Sequence, residues 1–241
     1  MAGKPLIAVT GASSGIGEAT ARAFSEAGHP VLLMARRLER LQALELPEAI
    51  VRQVDVRDRA AIAAAVADAE AEYGPVDMMF ANAGIARLGD IAKQPPEEWD
   101  EMIDINTKGV MNAVHAVMSG MISRKQGTLV MMSSIAGRKV YPDHTVYCGT
   151  KFFVHAVSES LREYLAPHDV RVIVVSPGII DTEVLDHVRD ETTLANYKAN
   201  KTAIGGGISA DIVAKLILDA YRLPQRAIVQ EIVITPTRQK Y

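Results

Sequence analysis

Short apolar segments alternate with longer helix-compatible segments along the 241-residue chain, and this alternation constrains the fold most. The apolar segments are continuous, as in Val31–Ala35, which is typical of strands covered by helices on both faces. Such alternation predicts parallel βαβ units with right-handed crossovers. The expected strands are Leu6–Thr10, Val31–Ala35, Ile50–Val54, Val76–Ala81, Thr128–Ser133, Val170–Ser176 and Ala227–Ile234.

We therefore expect residues 1–241 to form one α/β domain, a doubly wound parallel sheet of about seven strands with helices on both faces. Two helical segments, Glu97–Arg124 and Thr145–Ala166, are longer than the rest. Their apolar stripes are wide, which fits either packing against a partner subunit or burial in the core.

Residues 181–207 break this rhythm, because they are polar and end in three consecutive glycines. A long irregular segment inside a compact domain often acts as a lid over a binding site. The alternative is a mobile surface insertion. We expect a substrate lid over these residues.

The charge balance argues against a nucleic-acid partner, because 26 basic and 29 acidic side chains leave a net charge of −3. The single cysteine, Cys148, excludes an intrachain disulfide and is compatible with a reducing cytosol. Met1-Ala-Gly-Lys-Pro leads straight into the first apolar run, which leaves no room for a signal peptide, and no run approaches the ~18 residues of a membrane span. These features predict a cytoplasmic protein without a membrane partner.

A glycine-rich turn with the spacing Gly-x-x-x-Gly-x-Gly follows the first predicted strand and precedes the helix-compatible run Glu18–Ala27. Glycines here permit a tight turn and let backbone N–H groups approach a pyrophosphate at a helix N-terminus. Any tight turn can use glycines, but the first βα turn of a doubly wound pattern is the place where a dinucleotide binds. The cofactor-binding residues expected here are Gly11, Ser13, Ser14, Gly15, Ile16 and Gly17.

The second predicted strand is followed directly by Arg36 and Arg37, near the position where such folds contact the adenosine ribose. An acidic residue there would accept a hydrogen bond from a free 2′-hydroxyl, and the sequence places none there. Guanidinium groups pair with phosphates, and Ser13 or Ser14 could donate to the same group. The pattern favours NADP(H) over NAD(H), although both arginines could simply be solvated residues at a helix start.

Tyr147 and Lys151 are four residues apart, and therefore lie on one face of the second long helix. A tyrosine, with its ordinary pKa near 10, is a poor acid–base catalyst at neutral pH. A neighbouring ammonium should lower the pKa of the phenol toward the operating pH. The pair alone is common on ordinary helices, so its interpretation depends on the residues around it.

Polar residues follow two predicted central strands, where ligands bind in open α/β sheets. Ser133 and Ser134 follow one strand, and Asn82-Ala83-Gly84 ends another. Asn106 lies on the first long helix. Each has a structural alternative, since such residues often terminate strands or stabilise a core.

Taken in order, these motifs resemble the short-chain dehydrogenase/reductase family in its common form, over nearly the whole chain. The resemblance rests on the glycine turn, Asp55, Asn82-Ala83-Gly84, Asn106, Ser134, Tyr147-x-x-x-Lys151 and Pro177-Gly178. It implies a Rossmann-like sheet with strand order 3-2-1-4-5-6-7, and hydride transfer between a nicotinamide and an alcohol or carbonyl carbon without a metal.

The resemblance also implies a role for each catalytic residue. Tyr147 would donate a proton to the carbonyl oxygen, or accept one in oxidation, and Ser134 would hold and polarise that oxygen. Lys151 would lower the pKa of Tyr147 and bind the nicotinamide ribose, so that both contact the cofactor. Asn106 would support a proton-relay water. Further expected cofactor contacts are Asp55 and Val56 at the adenine, Asn82, Ala83 and Gly84 on the adenosine side, and Pro177, Gly178, Ile180 and Thr182 at the carboxamide.

Within the family, the segment Glu231–Arg238 and Thr150-Lys151-Phe152 resemble the NADP-dependent branch that acts on serine and other 3-hydroxy acids. Such substrates would need a cation for their carboxylate. Five residues qualify and none is singled out: Arg87, Arg138, Lys139, Arg189 and Lys198. His144, His155 and His187 are expected to have surface or packing roles.

The leading interpretation is a cytoplasmic NADP(H)-dependent enzyme that interconverts a small-molecule alcohol and its carbonyl, as a homotetramer or dimer. One alternative is a catalytically silent NADP-binding regulator, which is disfavoured because all four catalytic positions carry the expected residues. A lyase or epimerase is a further alternative, and the short C-terminal region argues against it.

Overall fold

The computed structural model describes residues 4–240. Seven strands form one parallel sheet in the order β3-β2-β1-β4-β5-β6-β7, which confirms the predicted Rossmann-like fold and strand order. Because the order reverses between β1 and β4, the carboxyl ends of these two strands open a crevice. The strands are β1 Leu6–Thr10, β2 Val31–Ala35, β3 Ala49–Gln53, β4 Val76–Ala81, β5 Gly127–Met132, β6 Val170–Pro177 and β7 Glu231–Ile234.

The sheet has a hydrophobic core on each face, which explains why its strands are continuously apolar. In β1, Leu6 and Ala8 pack into one core, whereas Ile7 and Val9 pack into the other. Side chains of successive strand residues point to opposite faces, so a strand between two helical layers needs apolar residues at every position.

Helices cover both faces. The helices are α1 Gly15–Glu26, α2 Leu38–Gln42, α3 Arg59–Tyr73, α4 Pro96–Ile103, α5 Gly109–Arg124, α6 Thr145–Leu165, α7 Glu191–Ala203 and α8 Ala210–Tyr221. Helices α1 and α8 contribute to one core, and α3, α4, α5 and α6 contribute to the other. Because the two helical layers cover the faces of the sheet, its carboxyl edge stays open for a ligand.

Two predicted elements differ in detail from the structure. The expected single helix Glu97–Arg124 is interrupted by a π-helical turn, Asp104–Lys108, between α4 and α5. This turn contains Asn106, and such π turns are frequent at functional sites. The last strand begins at Glu231 rather than Ala227, because strand pairing with β6 begins at the Glu231–Val174 pair.

Residues 181–207 are not the irregular segment expected from their polar composition. They contain a 3-10 helix, Glu183–His187, followed by α7. The carboxylate of Asp190 caps α7 by accepting a hydrogen bond from the Thr193 backbone N–H at 2.7 Å. An acidic residue in the first turn and Lys201 in the last complement the helix dipole. The polar residues therefore form a capped helix at the surface.

Candidate active site

The β1–α1 turn requires its glycines. Gly11 and Gly15 have positive φ angles of +66° and +58°, a conformation that side chains disfavour. A Cβ on Gly17 would lie 2.3 Å from the carbonyl oxygen of Gly11 and 2.5 Å from Nδ2 of Asn82. The turn can therefore close tightly only with glycine at these positions.

The N-terminus of α1 is open toward this turn. Its N-cap residue, Ser14, makes no side-chain capping hydrogen bond. The first N–H groups of a helix have no partner within the helix, and together with the helix dipole they form a site for an anion. The turn therefore fits the pyrophosphate of a dinucleotide.

Hydrogen bonds between Thr10, the last residue of β1, and Asn82, which follows β4, hold the turn in place. The Thr10 hydroxyl accepts hydrogen bonds from the backbone N–H groups of Asn82 and Ala83, at 3.0 and 3.1 Å. The Asn82 side chain donates to the carbonyl oxygens of Thr10 and Gly11, at 3.0 and 3.3 Å. These bonds join the two strands at the point where the strand order reverses.

Arg37, at the end of β2, lies against the serines of the turn. Its guanidinium donates to the hydroxyl of Ser13 at 3.0 Å and to that of Ser14 at 2.8 Å. A third contact goes to Glu183, whose Oε2 lies 3.1 Å from Nη1. Arg36 is exposed and lines the same cleft. Sequence reasoning missed Glu183, because 146 positions separate it from Arg37.

Ser134, Tyr147 and Lys151 meet at the opposite end of the cleft. Ser134 follows β5, and the other two lie one turn apart on α6, on the face that lines the cleft. The ammonium of Lys151 lies 5.5 Å from the centre of the Tyr147 ring and donates to the carbonyl oxygen of Met132 at 3.0 Å. The predicted catalytic side chains are therefore close together.

The pKa values of this pair differ from the sequence-based expectation. Burial raises the pKa of Tyr147, and a hydrogen bond with Ser134 opposes that rise only in part. Burial also lowers the pKa of Lys151 to about 8. The expected lowering of the phenol pKa by the ammonium is therefore wrong for this structure, because desolvation of the phenol outweighs favourable interactions and the ammonium bonds to a backbone carbonyl.

Asn106 is buried, and both polar atoms of its side-chain amide form hydrogen bonds with the backbone of Ile85. Its Oδ1 accepts from the Ile85 N–H at 2.9 Å, and its Nδ2 donates to the Ile85 carbonyl at 2.9 Å and to the Thr150 hydroxyl at 3.2 Å. A Cβ on Gly84 would lie 3.2 Å from this Oδ1 and 3.6 Å from Nζ of Lys151. Asn106 thus holds the loop after β4 beside the lysine.

One cleft of about 530 Å³ connects these groups, a volume typical of ligand pockets. Gly17 and Asn106 do not line the cleft; they contact residues that do, Gly11 and Ile85 respectively. Asp55 lines it and pairs with Arg57 at 2.6 Å; this hydrogen bond is the main reason why the pKa of Asp55 is low. The predicted residues that line the cleft are Gly11, Ser13, Ser14, Gly15, Ile16, Arg36, Arg37, Asp55, Val56, Asn82, Ala83, Gly84, Ser134, Tyr147, Lys151, Pro177, Gly178, Ile180 and Thr182.

Beyond Tyr147, the cleft has an apolar wall that the motifs do not reveal. Ala86, Leu88 and Val188 form a small core against which Tyr147 and the side chains of Leu185 and Tyr197 pack. Leu185 and Tyr197 come from residues 181–207, so this segment closes one side of the cleft. Their only sequence signal is scattered apolar residues in a polar stretch.

Of the five cations proposed for a substrate carboxylate, none lines the cleft. Arg87 pairs with Glu101, Arg138 with Glu231 and Arg189 with Glu98. Lys139 faces the ring of Tyr141. The cleft is lined instead by Lys240, near the C-terminus.

Within residues 4–240, no three His, Cys, Asp or Glu side chains form a group that could hold a metal ion. Nor does this part of the chain contain a helix long and apolar enough to cross a membrane.

Comparisons with known proteins agree with this arrangement. The family described as short chain dehydrogenase matches residues 5–193. An uncharacterized oxidoreductase of Staphylococcus saprophyticus is 34% identical, over 97% of this chain and 96% of its own. An NADP-dependent 3-hydroxy acid dehydrogenase of Salmonella typhimurium is 36% identical, over 98% and 96%. The closed form of a serine dehydrogenase complexed with NADP⁺ superposes with a TM-score of 0.90, at 33% identity over 98% of this chain and 96% of that one.

Proposed function

The chain belongs to the short-chain dehydrogenase family and is an NAD(P)-dependent dehydrogenase. We propose that it interconverts an alcohol and its carbonyl with NADP(H). One observation carries this proposal: Ser134, Tyr147 and Lys151 meet in the cleft that the open N-terminus of α1 also faces. This convergence favours an enzyme over a silent NADP-binding regulator.

When bound, the cofactor would supply a hydride in reduction and accept one in oxidation. The chain's own part is proton transfer, and we assign it to the hydroxyl of Tyr147. The phenol carries its proton at neutral pH, and its position beside Ser134 in the cleft, rather than its acidity, supports its assignment as the donor to a carbonyl oxygen during reduction. Ser134 orients the same oxygen through its hydroxyl, and in oxidation the proton moves in the opposite direction.

The preference for NADP(H) is supported by the end of β2 and by the relatives. Arg37, Ser13 and Ser14 form one hydrogen-bonded group that can bind a 2′-phosphate, and Arg36 adds a second guanidinium at the same edge. Solved relatives are complexed with NADP. Asp55 and Val56 would lie beside the adenine. Lys151 would bind the nicotinamide ribose, and Pro177, Gly178, Ile180 and Thr182 would contact the carboxamide.

The substrate class is a further part of the proposal. The relatives named for 3-hydroxy acids and serine support a small hydroxy acid. Residues 181–207 would cover this substrate as a lid, since Leu185 and Tyr197 already form one wall of the cleft.

We also propose a cytoplasmic homo-oligomer, either a tetramer or a dimer. The two long helical segments expose apolar side chains, Ile103 at the end of α4 and Phe152 on α6, which fits packing against another copy. A light-scattering mass well above the 26.0 kDa of one chain checks this.

Tyr147→Phe tests the catalytic assignment, because it removes only the hydroxyl. Turnover should fall by several orders of magnitude while the dissociation constant for NADPH changes little. Tyr164→Phe, on an exposed tyrosine of the same helix, serves as the matched control. Retained activity in the Tyr147 variant would contradict the proposed proton transfer.

A further inference from the structure

The carboxylate of Glu183 lies between two guanidinium groups at the adenosine end of the cleft. Its Oε2 is 3.1 Å from Nη1 of Arg37 and 2.7 Å from Nη1 of Arg40. Glu183 lines the cleft and is the first residue of the 3-10 helix that follows Thr182. The structure thus brings an acidic residue to the end of β2, where positions 36 and 37 are both arginines.

The backbone beside Glu183 is held against the glycine turn. A Cβ built on Gly15 would lie 3.1 Å from the methyl group of Thr182, so the two segments are in close contact. Arg37 also donates to Ser13 and Ser14 of this turn. The carboxylate therefore shares Arg37 with the serines that would bind the 2′ substituent of the adenosine ribose.

A 2′-phosphate and a 2′-hydroxyl would interact with this carboxylate in opposite ways. A phosphate monoester carries a charge of about −1.5 to −2 at neutral pH, and the ionised carboxylate would repel it. A free 2′-hydroxyl would instead donate a hydrogen bond to a carboxylate, as in folds that bind NAD. Hydrogen bonds from Arg40 and Arg37 lower the pKa of Glu183, so this group is ionised at neutral pH.

We propose that Glu183 is a residue that determines cofactor specificity. Its carboxylate weakens binding of the 2′-phosphate of NADP(H) and can accept a hydrogen bond from the 2′-hydroxyl of NAD(H). The inference rests on the proposed NADP(H) site. The carboxylate moderates the preference set by Arg37, and it attaches the first residue of the 3-10 helix Glu183–His187, within the 181–207 segment, to the same arginine.

Binding of nucleotide fragments without a nicotinamide tests this inference independently of turnover. In Glu183→Gln, the dissociation constant for 2′,5′-ADP should fall about tenfold, the effect of one nearby charge in a partly exposed site. The constant for 5′-AMP should stay the same or rise. Calorimetric titration of the whole chain measures both, and NADPH and NADH should follow the same pattern.

Three further measurements complete the test. Asp68→Asn removes one negative charge from an exposed ion pair with Arg52, outside the cleft, and should change neither constant. Arg37→Ala should strongly weaken the binding of 2′,5′-ADP, which would show that the 2′-phosphate lies at the Arg37 guanidinium. The gain in Glu183→Gln should shrink as the salt concentration rises, because salt screens exposed charges.

Two results would overturn the inference. Equal effects of Glu183→Gln on 2′,5′-ADP and 5′-AMP would show that the carboxylate does not sense the 2′ substituent. Weaker binding of 2′,5′-ADP would show that the carboxylate only orders the arginines for the phosphate. Because neither titration needs a substrate, both results are distinguishable from a failure of the proposed dehydrogenase activity.

Discussion

The ammonium of Lys151 donates to the backbone carbonyl of Met132 at 3.0 Å, which attaches the candidate active site to the end of β5. Lys151 is only 4% exposed, and within residues 4–240 no carboxylate forms an ion pair with it. A buried charge without a countercharge costs stability, and this cost explains why the pKa of Lys151 falls to about 8.

Lys151→Met should therefore stabilise the apo protein at pH 7, by on the order of 1–3 kcal/mol in the free energy of unfolding, while it abolishes turnover. Below pH 8 both folded and unfolded wild type hold the lysine proton, so the burial cost is fully present. Between about pH 8 and the unfolded pKa near 10.4, only the unfolded state keeps it, so the wild type gains stability as pH rises. Urea unfolding at pH 7 and 9.5 should show the difference between the two proteins shrinking.

Lys215→Met provides the control, because Lys215 is exposed on α8 and pairs with Asp219. The difference in the free energy of unfolding between Lys215→Met and the wild type should be the same at pH 7 and 9.5. A Lys151 variant that is less stable than the wild type by the same amount at both pH values would contradict the burial argument.

Arg87 fastens the 181–207 segment to α4. Its guanidinium donates to the carbonyl oxygen of His187 at 2.7 Å and to Glu101 at 2.8 Å. Arg87→Ala should therefore increase hydrogen exchange within α7 and raise KM severalfold, with a smaller change in kcat, if this segment covers the substrate. Mass-spectrometric exchange measures the first effect and steady-state kinetics the second. Arg52→Ala is the matched control, and unchanged exchange in α7 would rule out this attachment.

Lys240 is the candidate cation for a substrate carboxylate, because it lines the cleft and the five cations proposed from the sequence do not. Lys240→Gln should raise KM for 3-hydroxybutyrate about tenfold, the effect of one lost charge-assisted hydrogen bond, and leave KM for its methyl ester unchanged. The two substrates differ by one negative charge. An equal effect on both would show that Lys240 does not read the carboxylate, and a wild-type preference for the ester would exclude a hydroxy acid as the substrate class.

The local patterns predicted the architecture well because they arise from interactions between near neighbours. Continuous apolar runs such as Val76–Ala81 identified the strands, since a strand between two helical layers is buried on both faces. The four-residue spacing of Tyr147 and Lys151 placed both on one face of α6. The helix after Asp190 was missed, although its cap and charged ends are also local signals.

The sequence by itself thus determined the sheet, the glycine turn and which side chains could meet at the carboxyl edge. Only the tertiary structure decided the chemical state of those side chains. Burial raises the pKa of Tyr147 and lowers that of Lys151, and the four-residue spacing of this pair does not show how deeply either side chain is buried. Likewise, Glu183 reaches Arg37 across 146 positions, because packing against Gly15 brings its segment to the turn. Desolvation and ion pairing depend on distances in space, which the fold alone sets.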